Sequence, residues 1–163
     1  MRQNKDFIYG VTLVATLGGF LFGYDTTVIS GAEESIQAFL IDSQGLSSFL
    51  HGVTVSSALI GCIVGGAISG FMSSAYGRKN ALIIAGVLFF LSALGSGNPE
   101  FLFFNKGEPS LGVLWMFNFY RVIGGVGVGL ASAVCPMYIG EIAPAAIRGR
   151  LVSLNQFAII FGM

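Results

Sequence analysis

Five apolar stretches stand out along this chain, at about 7–29, 50–75, 79–97, 112–139 and 151–163. A helix needs ~20 residues to cross ~30 Å of hydrocarbon. The first four stretches meet that length. The fifth stops at Met163 and is expected to be a span cut short. The first stretch is far longer than the ~7–15-residue core of a secretory signal, and no small-residue cleavage site follows it cleanly. The pattern predicts an all-α, polytopic membrane protein with four full transmembrane helices and a truncated fifth.

The segments between the stretches alternate in charge. Arg2 and Lys5 precede the first, Arg78 and Lys79 separate the second from the third, and Arg148 and Arg150 separate the fourth from the fifth. The other connections carry Glu33, Glu34, Asp42, Glu100 and Glu108, with Lys106 their one basic residue. Positive charge collects on the cytoplasmic side. The expected topology therefore has the N-terminus inside and the 31–49 and 96–110 loops outside. Trp115 and Tyr120, with Phe101, Phe103 and Phe104 nearby, are expected near the outer interface, where amphipathic rings gather.

Composition agrees with a bilayer as solvent. Hydrophobic residues make up 54% of the chain and charged residues 10%, against about 25% charged in soluble domains. The formal net charge is zero, which gives no electrostatic case for nucleic acid. Cys62 and Cys135 lie singly in apolar runs and His51 is the one histidine. Neither a disulfide framework nor a metal site is expected, and both cysteines read as small buried hydrophobes.

The 24 glycines read as packing. Gly61-x-x-x-Gly65 and Gly66-x-x-x-Gly70 are small-xxx-small repeats that let helices cross closely. Gly125-x-Gly127-x-Gly129 lacks the spacing of a dinucleotide loop and sits inside an apolar run. With no nucleophile–base pair and no phosphate loop, the chain is not read as an enzyme, and no cofactor is expected.

Two ionisable residues fall deep inside predicted spans. Asp25 lies ~27 Å up from the inner edge of the first, and Arg121 ~15 Å down from the outer edge of the fourth, at ~1.5 Å per residue. A lone charge there costs at least ~2.5 kcal/mol, so the two are expected to pair if their helices are neighbours. The pair reads either as a static pin or as a proton site whose carboxylate responds to the arginine. Near the inner ends, Glu141 is placed to bridge to Arg78 or Arg150.

These residues also spell a resemblance. Gly70-Phe-Met-Ser-Ser-Ala-Tyr-Gly77-Arg78-Lys79 resembles the loop motif of the major facilitator superfamily. Arg121-Val-Ile-Gly-Gly-Val-Gly-Val-Gly-Leu and Pro136-Met-Tyr138-Ile-Gly-Glu141-Ile-Ala-Pro144-Ala-Ala-Ile-Arg148-Gly149-Arg150 resemble the signature of its sugar porter family. Gly19-Phe-Leu-Phe22-Gly23-Tyr24-Asp25 and Asn155-Gln156-Phe extend the match. Within that family the chain resembles the bacterial D-xylose–proton symporters.

The resemblance implies twelve helices in two six-helix halves around a central sugar site, with residues 1–163 as part of the N-terminal half. It implies proton coupling by Asp25 and Arg121, sugar contacts from Phe22 and Gln156, and a cytoplasmic gating network of Arg78, Glu141, Arg148 and Arg150. The implied partners are a monosaccharide, D-xylose first, a proton, the lipid bilayer of the inner (plasma) membrane, and the C-terminal half of the same polypeptide. A facilitative sugar uniporter and an inactive or sensor fragment of the same fold are the alternatives. The chain departs from the family at Ser74 and Ala75, where the loop motif usually carries an acid or amide and then an arginine.

Overall fold

The computed structural model describes residues 5–41, 45, 48–97 and 111–163. They form α1 (Lys5–Ile36), which continues into a π-helical turn at Gln37–Ile41, then α2 (Ser48–Tyr76), α3 (Arg78–Gly97), α4 (Leu111–Ile142) and α5 (Arg148–Gly162). Four helical stretches, Ile8–Ile36, Phe49–Tyr76, Arg78–Gly97 and Leu111–Ile142, are long and apolar enough to cross a membrane. Large apolar side chains such as Phe49, Ile63, Phe71, Phe90 and Phe161 lie exposed on the outside of the bundle. That surface suits lipid tails and not water.

The helix ends follow local chemistry. α1 runs past the predicted end at 29, because Ala32, Glu33 and Glu34 end the apolar run without ending the helix; alanine and glutamate are good helix formers. Part of the loop expected at 31–49 is therefore helical. α2 and α3 are joined by Gly77 alone, at φ +81°, a backbone region that glycine enters without steric cost. α4 contains Pro136 in its interior and stops just before Pro144, which has no N–H to continue the ladder. The Pro144 carbonyl accepts the Ile147 and Arg148 N–H groups at 3.0 and 2.9 Å and so starts α5. The aromatic and charged residues expected between 98 and 110, together with Arg2 and Asp42, lie outside the described residues.

α4 is the hub. Within its most apolar window 56% is buried, against 22–28% for the other spans. Its glycines explain how neighbours come so close. A methyl group added at Gly61 or Gly65 of α2 would strike the Val122 or Val126 carbonyl, and one at Gly125 or Gly129 of α4 would strike that of Ala58 or Cys62. The two helices thus interlock backbone to backbone, in parallel, along Gly61-x-x-x-Gly65, whereas the other predicted repeat does not line the seam: a methyl at Gly66 or Gly70 meets nothing within 4 Å. α1 and α5 form a second parallel seam, where a methyl at Gly23 would meet the Ile159 carbonyl and one at Gly162 the Phe20 carbonyl. On α3, Gly95 makes room for the ring of Tyr120, so that ring serves helix packing. Trp115 is exposed. Cys62 is half-buried and Cys135 buried, both as free thiols.

The bundle therefore consists of two glycine-locked pairs, α1·α5 and α2·α4, with α3 against α4. α1 packs antiparallel to α4, through Ile8 and Ala15 against Ile139 and Ala143 at one end. Towards the other end, α1 and α4 are joined by charge.

Candidate functional site

Arg121 projects from the first third of α4, where only 7% of its side chain is exposed. Its Nη1 donates to Asp25 Oδ1 of α1 at 2.8 Å. A guanidinium stays charged at any accessible pH, so in this apolar setting it requires an anion. Asp25 supplies one, and with 33% of its side chain exposed it keeps contact with the open face of the bundle. The pairing expected from two isolated charges in two apolar runs is present, and it ties one glycine-locked pair to the other.

Phe22 lies one helical turn before Asp25 on α1 and is half-buried. Gln156 lies exposed on α5 and makes no hydrogen bond to the described residues. The register of α1 against α5, Gly19 beside Asn155 and Gly23 beside Ile159, puts both at the same level of the bundle. Neither lines the apolar groove of about 550 Å³ between α1, α3 and α4, nor that of about 340 Å³ between α1 and α5.

At the basic end, Arg78 holds Glu141 through two nitrogens. Nη2 donates to Oε1 at 2.7 Å, and Nε approaches both carboxylate oxygens at 3.1 Å. Its Nη1 also donates to the Ser73 carbonyl at 2.9 Å. The guanidinium thus fastens the last turn of α2, the start of α3 and the end of α4. The fork geometry of arginine suits this bidentate grip. Of the two bridges open to Glu141, the one to Arg78 forms. Arg148 instead donates to the Ala143 carbonyl at 3.4 Å, and Arg150 is exposed without a partner among the described residues. The four residues expected as one network stand here as one ion pair, one backbone contact and one free cation.

Sequence reasoning passed over three other contacts. Thr27 donates to the Met163 carbonyl at 2.9 Å and so ties α1 to α5 close to Asp25. Asn155 is buried, its Oδ1 without a partner, where a Cβ on Gly19 would come within 2.7 Å of it. A buried amide beside Gln156 was the available signal. His51 of α2 approaches Glu33 of α1 at 3.8 Å.

Comparison with known proteins follows the same lines. The family described as "Sugar (and other) transporter" matches residues 11–163. The chain is 54% identical to a D-xylose-proton symporter of Escherichia coli, over 99% of this chain and 35% of that protein. It is 44% identical to a glucose transport protein of Synechocystis, over 98% of this chain and 31% of that protein. The proton:xylose symporter XylE bound to 6-bromo-6-deoxy-D-glucose superposes with a TM-score of 0.90 at 53% identity, over 98% of this chain and 36% of that one. These relatives are transporters, not enzymes, and the chain spans about a third of their length.

Proposed function

The chain belongs to the family of sugar and related transporters, and from that membership we propose that it forms part of the N-terminal half of a proton-coupled monosaccharide importer. The observation that carries this reading is the 2.8 Å ion pair between Asp25 and Arg121, placed within helices long and apolar enough to cross a membrane. The sugar we propose is D-xylose, named for the relative at 54% identity.

Coupling follows from the chemistry of the pair. Protonation of Asp25 removes the negative charge that Arg121 faces. An unpaired arginine in the middle of a span costs ~2.5–3.5 kcal/mol on insertion scales. The neutral carboxyl therefore weakens the tie between α1 and α4, and the helices gain freedom to rearrange. Deprotonation restores the tie. A proton taken up on one side and released on the other thus biases alternating access about a midplane site. Phe22 offers a ring face and Gln156 an amide to a sugar, whose own surface alternates between apolar ring and hydroxyls. The remaining two thirds of the relatives' length corresponds, in this reading, to the rest of the transporter.

The basic end is assigned to the cytoplasm by its arginines and lysine. There the Arg78–Glu141 pair, with Arg148 on the end of α4, acts as a latch that favours the outward-facing state. Ser74 and Ala75 leave that latch with fewer charges than the family motif provides.

The test is uptake of radiolabelled D-xylose by cells expressing the full-length transporter, with and without a protonophore. Uptake driven above equilibrium and abolished by the protonophore is the expected result. Uptake that equilibrates and ignores the protonophore would assign the chain to a uniporter.

A further inference from the structure

The coupling pair and the basic latch leave one inter-helical charge contact without a role. His51 Nε2, on the first turn of α2, lies 3.8 Å from Glu33 Oε1 near the end of α1. The imidazole is largely enclosed, with 18% of its side chain exposed, and Glu33 is half open at 47%. The Nε2 atom is buried and has no hydrogen-bond partner. A buried polar atom left unpaired is costly. A small inward movement of the flexible glutamate would complete the bond.

Position gives the contact its meaning. Glu33 follows Asp25 by two helical turns and a fraction, so both project from one face of α1, ~12 Å apart along the axis at ~1.5 Å per residue. On that face α1 is tied to α4 by Asp25 and approaches α2 through Glu33. α1 and α2 otherwise share little packing, since each is locked to a different partner. The contact therefore bridges the two glycine-locked pairs at the end remote from Arg78.

We propose that His51 and Glu33 form a second proton-responsive site, a clamp that closes between α1 and α2 when the imidazole carries a proton. Histidine is the side chain that ordinarily changes charge between pH 5 and 8. Imidazolium beside carboxylate is a charge-assisted pair, whereas neutral imidazole offers at most one uncharged N–H, a weaker bond. The clamp is thus tighter with the imidazole protonated than with it neutral. The other titratable groups near it are few. Glu34 adds negative charge on α1. The π-helical turn, the first two turns of α4 and the end of α3 bring no ionisable side chain among the described residues. Further in, Arg121 is already matched by Asp25.

The two proton sites act in opposite senses. A proton on Asp25 loosens α1 from α4, and a proton on His51 fastens α1 to α2. Under acid conditions α1 would swing about its Glu33 end without separating from the bundle. The clamp is a property of the helices themselves and stands whether or not the sugar reading holds.

The experiment is a spin-label distance measurement on the full-length protein in lipid nanodiscs, with labels at Gln37→Cys, at the start of the π-helical turn that continues α1, and at Phe49→Cys on α2. The native protein should show a shorter, narrower distance distribution at pH 5.5 than at pH 8. His51→Gln and Glu33→Gln, which alter opposite helices, should each abolish that difference, and Glu33→Asp should retain it. The same pH response in both neutralised variants, or none in the native protein, would overturn the proposal.

Discussion

Asp25 and Arg121 lie 96 positions apart in the chain and meet at 2.8 Å in space, and their burial is unequal. Arginine is almost enclosed, while the aspartate keeps a third of its side chain open. The member that cannot change its charge is the one sealed in the helix core. The member that can change its charge is the more open of the two. The asymmetry suits a switch better than a static pin.

That asymmetry makes the two neutralising substitutions unequal. Asp25→Asn leaves a permanent cation without its counter-ion, whereas Arg121→Gln leaves a carboxylate that can take up a proton. Breaking a buried pair from one side costs about 3–5 kcal/mol, and the exposure of Asp25 places this site toward the lower end. The expected result is a larger drop in thermal stability for Asp25→Asn than for Arg121→Gln in detergent at pH 5. Equal drops would argue that Arg121 is solvated in the native protein.

The glycine seams predict a contrast between adjacent positions. Gly65→Ala forces a methyl against the Val126 carbonyl, while the same change at Gly66 meets nothing within 4 Å. Overpacking costs typically 1–3 kcal/mol, about the scale expected for Gly65→Ala. Gly66→Ala should behave as the native protein in yield and melting temperature. Similar behaviour of the two variants would mean that α2 and α4 are not in backbone contact.

At the basic end, Arg78→Glu and Glu141→Arg should each shift the accessibility of that face towards cysteine reagents, and the double charge swap should reverse much of that shift. Stability should scarcely change, since ion pairs at an open surface add little. A double swap no better than either single change would separate Glu141 from the latch.

Much of this was legible in the chain. The α2–α4 seam could be read in part, because glycine recurs every four residues on α2, but spacing did not tell the seam repeat Gly61-x-x-x-Gly65 from the open repeat Gly66-x-x-x-Gly70. The Asp25–Arg121 pair could be read because charges inside apolar runs need partners. The end of α1 could not, because the apolar run stops at Ser30 while the helix, favoured by Ala32 and the two glutamates, does not. The His51–Glu33 contact was hidden for a related reason: a lone histidine has no spacing, and its partner looked like a loop residue. Arg78 stands in one motif and Glu141, Arg148 and Arg150 in another, and of these only Arg78 and Glu141 pair, because Arg148 turns back onto the Ala143 carbonyl and Arg150 lies exposed. Charge pattern alone does not encode side-chain direction.

The most direct test of the account is sugar transport by Asp25→Asn in the full-length protein reconstituted into liposomes, measured both as accumulation under an inward proton gradient and as counterflow exchange without one. The account predicts that counterflow persists while accumulation above equilibrium is lost, since the site survives and only the proton switch is removed. Accumulation at the native ratio by Asp25→Asn would contradict it, and proton coupling would then have to reside in another group.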